Sequence, residues 1–198
     1  MQNKKLVSAK NIVIVATILF FASCNSDKKE EQDVEVKKEI VKAVKGTYSV
    51  ETMVAEIAKI EKELDKSSTP NKNELRIRLV EFYESFFNLF SNDKLAADML
   101  FKAGNQSVNL EKYQDALKYY SLAEESYPEY IKRPECIYLQ GFIFDTYVSE
   151  LGKAKEKYLL LINRYPKHVL AEQAQISLDN LGKSDEDLIR QFEKQNKN

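Results

Sequence analysis

The sequence predicts an all-α chain: a short α-solenoid of antiparallel helix pairs, about three repeats deep, with a terminal capping helix. Three observations carry that prediction. Five Gly and four Pro in 198 residues are too few for an all-β chain with many tight turns. From about residue 50 onward, apolar residues recur at three- and four-residue intervals. Between residues 95 and 168 the chain repeats itself, with small and aromatic residues returning at fixed offsets.

Composition narrows the class. A hydrophobic fraction of 43% and a charged fraction of 31% fit a globular body. Eleven Tyr, ten Phe and no Trp supply large packing residues, many with a polar tip. The formal charge is −1, and Lys4, Lys5 and Lys10 come from a leading segment without a single acid, so the remainder is more acidic still. With no basic patch interleaved with aromatics, nucleic acid is not the expected partner.

After its lysines the chain runs apolar from Ile12 to Ala22, apart from Thr17. At about 1.5 Å per helical residue this run reaches roughly 16 Å, against about 30 Å for a hydrocarbon core. It is too short to span and the right size for the apolar region of an export signal. Phe21-Ala22-Ser23-Cys24 resembles the lipobox of bacterial lipoproteins, with Phe where Leu is usual. That resemblance implies diacylation of the Cys24 thiol, then cleavage before Cys24, then acylation of the new amino group. Two or more acyl chains hold a protein at a membrane stably, whereas one does not. A short signal anchor, a secretory signal with an incidental cysteine, and a Cys24–Cys136 disulfide are the competing readings. Cys136 falls within a predicted helix, where a lone cysteine behaves as a small apolar residue.

The expected organisation is a signal segment over 1–23, a charged tether over 24–46 and a helical domain over 47–198. The tether mixes charges densely and has no aromatic residue. Its Glu30-Glu31 pair after Lys29 resembles acidic signals that send some lipoproteins to the cell surface; a solvated linker is the plainer reading. Beyond Gly46, Ser49 can cap a helix whose stripe is Met53, Val54, Ile57, Ile60 and Leu64. A loop over 66–73 with Pro70 as breaker ends it, and residues 74–90 carry two apolar stripes.

The repeat occupies 95–130 and 131–168. The first copy has Leu100-x2-Ala103-Gly104-x2-Ser107, then Ala116-x3-Tyr120 and Pro128. The second has Ile137-x2-Gln140-Gly141-x2-Phe144, then Ala154-x3-Tyr158 and Pro166. Gly104 and Gly141 allow close approach of the first helix of each pair, as Ala116 and Ala154 do on the second. Tyr120 and Tyr158 fill the wedge between pairs, and Pro128 and Pro166 end the second helices. Stepping back from Gly104 puts Tyr83 in the aromatic slot of a degenerate earlier copy. Stepping forward predicts a helix over 169–181 ended by Gly182, then a short helix capped by Ser184 with Asp187.

This pattern resembles the tetratricopeptide repeat (TPR), with a period of 38 rather than 34 residues and no tryptophan. Together with the lipobox it is similar in style to TPR lipoproteins of the Gram-negative envelope. One such relative is the lipoprotein subunit of the outer-membrane β-barrel assembly machinery (BamD-like). The resemblance implies a lipid-anchored adaptor at the outer membrane, with the periplasmic face ahead of the cell surface, holding a protein or peptide partner. Family groove positions, carried over from Gly104 and Gly141, become Asp98, Phe101, Asn105 and Val108, then Glu135, Tyr138, Phe142 and Asp145. A third helix adds Gln173, Ile176 and Asn180. Phe101, Tyr138 and Phe142 would form an aromatic wall; the competing reading makes them core, or covers them with the chain's own first helix. A homo-oligomeric structural lipoprotein without a peptide groove is the alternative function.

Nothing in the sequence points to an enzyme. His168 is the single histidine and stands at a predicted helix start, and the five glycines are isolated, so no histidine-based metal cluster or phosphate loop can be built. Carboxylate pairs such as Glu124-Glu125 fall on lysine-rich helices, where a solvated face is expected. No cofactor, metal or small-molecule substrate is expected.

Overall fold

The computed structural model describes residues 48–66, 71–184, 186, 187, 189 and 190. The expected signal segment and tether, with Cys24, and Pro70 lie outside the described residues. The described part belongs to a unit spanning Val44–Asn198. Among the described residues there are seven helices and no strand: α1 (Val50–Leu64), α2 (Lys72–Phe90), α3 (Ala96–Asn109), α4 (Tyr113–Ser126), α5 (Arg133–Thr146), α6 (Leu151–Arg164) and α7 (Val169–Asn180). Each helix packs on the next in chain order, and α5 also touches α7, a repeat-like arrangement.

Local chemistry sets the helix limits. Ser49 Oγ accepts from the Thr52 amide at 3.3 Å while Thr52 Oγ1 accepts from the Ser49 amide at 2.9 Å, a reciprocal cap that starts α1. Pro134 sits in the first turn of α5, where its missing N–H costs nothing. His168 caps α7, its Nδ1 accepting from the Leu170 amide at 3.3 Å. The lone histidine thus has a local structural role. Gly182 adopts φ +75° just past α7, a left-handed conformation that glycine takes without strain. Ser184 Oγ then accepts from the Asp187 amide at 3.2 Å, as the sequence pattern predicted.

The core is organised by tyrosines at one position of each copy. Tyr83, Tyr120 and Tyr158 are the largest fully buried side chains, with 1%, 1% and 0% of their surface exposed. A Cβ added to Gly104 would lie 2.5 Å from Tyr120 Cε1, and one added to Gly141 would lie 2.8 Å from Tyr158 Cε1. The sequence reading gave the glycines a role in helix–helix approach. Their specific function is to seat the tyrosine ring of the same copy against bare backbone. Ala116 and Ala154, one turn before each ring, are fully buried. Each phenol reaches a polar acceptor: Tyr83 bonds Glu61 Oε1 at 2.7 Å, Tyr120 bonds Asn105 Oδ1 at 2.7 Å, and Tyr158 bonds Asp145 Oδ2 at 3.4 Å. Burial pushes all three phenols well above their ordinary range, so they act as neutral donors.

One expectation is corrected here. Glu124 is not on a solvated face: it is 4% exposed. Its Oε2 accepts from Lys157 Nζ at 2.9 Å and from Gln140 Nε2 at 2.9 Å, which joins α4, α5 and α6. Removing one partner from such a buried pair typically costs about 3–5 kcal/mol, because the remaining charge stays buried. Cys136 lies nearby and is fully buried; burial first, then the charges of Glu124 and Glu135, pushes its thiol up to about 12. That thiol is unreactive at neutral pH.

The tyrosine seats predict opposite signs for one substitution. Gly104→Ala and Gly141→Ala should destabilise, since overpacking costs about 1–3 kcal/mol against about 1 kcal/mol of helix propensity returned. Gly152→Ala in α6, whose added Cβ meets nothing within 4 Å, should stabilise by about 0.4–1 kcal/mol. Thermal melts of the three variants check this, at roughly 2–4 °C per kcal/mol.

Candidate functional site

The eleven groove positions expected from the sequence fall on α3, α5 and α7, and none is buried. Phe142, Gln173 and Ile176 are exposed and the other eight are partly so. The residues beside them on each helix are buried: Leu100, Ala103 and Gly104 on α3, Ile137, Gln140 and Gly141 on α5, and Ala171 and Ala174 on α7. The alternation follows from helical periodicity, because positions at offsets of three and four share a face. The row runs along the edge of the glycine–tyrosine contact, between the buried side of each helix and solvent.

Along α3 the site is already occupied by the chain itself. Asp98 Oδ1 accepts from Lys132 Nζ at 2.8 Å and from the Tyr130 hydroxyl at 3.0 Å. Lys102 Nζ lies 3.8 Å from Asp98 Oδ2 and 3.0 Å from Glu61 Oε1 of α1. Phe101 packs 5.8 Å from Tyr120 and 6.4 Å from Tyr130, with Lys132 Nζ 4.8 Å from its ring centroid. Asn105 is engaged by the Tyr120 phenol. Burial would raise the Asp98 carboxyl, but the bonds from Lys132 and Tyr130 and the charges of Lys132 and Lys102 hold it below the usual carboxylate range.

Along α5 the surface is more open. Tyr138 leans on Tyr158 at 6.0 Å. Phe142 meets Tyr147 edge-on at 5.8 Å, and Tyr147 stacks on Tyr113 at 4.2 Å with an 8° interplanar angle. Phe101, Tyr138 and Phe142 make no ring contact with one another among the described residues. The expected wall is therefore three separate aromatic clusters rather than one sheet of rings. Asp145 is pushed up from the usual carboxylate range by burial, with only the Tyr158 phenol opposing. On α7, Asn180 Oδ1 accepts from Lys183 Nζ at 3.4 Å.

Several participants escaped the sequence reading. Tyr113, Tyr130, Lys132 and Tyr147 lie at or beyond helix ends, where helical periodicity assigns no face. Among the described residues, no cluster of three His, Cys, Asp or Glu side chains could hold a metal ion, and no helix is long and apolar enough to cross a membrane. No family model, curated protein or solved structure matches the chain. The class is therefore set by the architecture: the described residues form an all-helical, repeat-like array with a partly exposed row along alternate helices.

The two aspartates predict opposite pH behaviour. Asp98 has a lowered folded pKa, so its stabilisation is present above the unfolded pKa and disappears as pH falls through the folded one. Asp98→Asn should cost about 1 kcal/mol at neutral pH, allowing for partial exposure, with the difference closing in acid. Asp145 has a raised folded pKa, so its charged form opposes folding at neutral pH and the penalty fades as pH falls. Asp145→Asn should raise stability at neutral pH, with that gain vanishing in acid. Denaturant titrations across the acid range check both signs.

Proposed function

We propose that the chain is a lipid-anchored adaptor of tetratricopeptide type. It is built from antiparallel helix pairs α1–α2, α3–α4 and α5–α6, followed by α7. Its α3, α5 and α7 would hold a segment of a protein or peptide partner at the bacterial envelope. Cys24 would carry the acyl chains, and the outer membrane, with its protein-assembly machinery, is the setting that fits the lipobox and the repeat together. The role is binding, without catalysis or a cofactor.

The observation that carries this reading is the row itself. Residues chosen by repeat offset alone are all at least partly exposed, on three alternate helices. In arrays of this kind, alternate helices present one continuous surface. Exposed aromatics with polar neighbours are the usual anchors of such surfaces.

The test is affinity capture of the full chain from membranes, compared with Phe142→Ala, Tyr138→Ala and Cys24→Ser. The expected outcome is a specific partner lost with the two aromatic variants. The Phe142→Ala melt should stay near wild type, while Tyr138→Ala, which removes a ring packed on the core, should be lower in Tm but still folded at the capture temperature. Cys24→Ser should release the chain from the membrane fraction. Retention of the same partner by both aromatic variants would contradict the adaptor reading, and retention of the Cys24→Ser chain in membranes would contradict the anchor.

A further inference from the structure

The two clear copies of the repeat place an acid and an aromatic residue at the same offsets before their glycines. Asp98 and Phe101 precede Gly104 as Glu135 and Tyr138 precede Gly141. In the first copy a lysine completes the set. Lys132 stands four residues after Pro128, bonds Asp98 Oδ1 at 2.8 Å and lies 4.8 Å from the Phe101 ring centroid. The same offset after Pro166 gives Leu170, which packs against the apolar cluster of Ile137, Tyr158 and Ala174. Tyr130, the second donor to Asp98, corresponds to His168, and His168 is turned to capping α7.

Glu135 therefore lacks both partners that its counterpart has. It forms no salt bridge among the described residues, and its Oε2 is buried without a hydrogen-bond partner. Asp145, further along the same face, has only the long bond from Tyr158. After Arg133, α5 carries no basic residue, and α7 carries none. Exposed apolar side chains follow on the same helix and on α7: Phe142 is 37% exposed and meets Tyr147, 44% exposed, and Ile176 is 56% exposed. A purely apolar segment laid here would bury two carboxylates unpaired, and an acidic segment would add like charge. Lysine and arginine answer both needs, with an apolar stem for the rings and a cation for the carboxylates.

We propose that the Glu135–Tyr138 position of α5 receives a lysine or arginine from a partner segment whose neighbouring residues are apolar, in the way Lys132 fills the corresponding position of the preceding copy. This rests on the adaptor reading and names the chemistry of the partner. The Phe142, Tyr147 and Ile176 surface takes the apolar neighbours, and Asp145 offers a second contact for a cation.

The probe is a fluorescent 12-residue peptide of alternating lysine and leucine, set against a glutamate–leucine counterpart, on the full chain. The lysine peptide should bind and the glutamate peptide should not. Glu135→Gln should weaken binding at least tenfold, while Glu156→Gln, an exposed acid on α6, should leave it unchanged. Leu170→Lys should also weaken binding at least tenfold by supplying the cation from within, with Leu170→Met, the packing control, binding as wild type does. Equal binding of the two peptides, or full binding by Glu135→Gln, would overturn the proposal. A membrane partner lost with Phe142→Ala yet kept by Glu135→Gln would overturn it too, while leaving the adaptor reading standing.

Discussion

The structure depends on a tyrosine ring seated on a bare glycine backbone. In each of the two clear copies, the second helix sends a fully buried tyrosine against the glycine of the first, at a distance that leaves no room for a Cβ. The fit fixes which face of α3 and of α5 turns inward. Packing at interior density tolerates few alternatives to such a fit, so the helix pair has essentially one register. The phenol then donates a bond to the partly exposed edge of the same first helix, to Asn105 in one copy and Asp145 in the other. Burial of the ring and satisfaction of its hydroxyl go together.

Everything proposed about function lies on the face that this seating turns outward. The row through Asp98, Glu135 and Gln173 is at least partly exposed, beside the buried side that holds glycine and its neighbours. Its two better-defined helices differ in a single respect that matters. On α3 the acid and ring are satisfied by Lys132 and Tyr130 from the turn before α5. On α5 the equivalent acid has no such partner, because the equivalent turn residues serve the core and a helix cap. A near-symmetric scaffold thus presents one closed and one unsatisfied copy of the same arrangement.

Much of this was legible in the sequence. Glycine, alanine, tyrosine and proline at constant offsets declare which residues meet, and Ser49, Pro134, Gly182 and Ser184 declare where helices start and stop. Tyr83 could be placed in its buried slot by counting alone. What was not legible depends on partners brought in from elsewhere. Glu124 reads as a surface acid on α4, and only Lys157, 33 residues on, makes its burial tolerable. Asp98 and Phe101 read as open groove residues, yet Lys132 and Tyr130 reach them from a turn more than thirty residues away. The Tyr113–Tyr147 stack joins residues at a helix start and a helix end, where neither period nor spacing gives direction. The loss of a partner at Glu135 becomes visible only when the two copies are superposed by offset and their turns compared.

The central claim is that the glycine exists for the ring. A double-mutant cycle between Gly104→Ala and Tyr120→Leu, read by denaturant unfolding, tests it most directly. If the ring is what excludes a Cβ at position 104, Gly104→Ala should be destabilising in the wild-type background. It should be neutral or stabilising once Tyr120→Leu has removed the ring, with a coupling of at least about 1 kcal/mol. Strict additivity of the two substitutions would contradict the account.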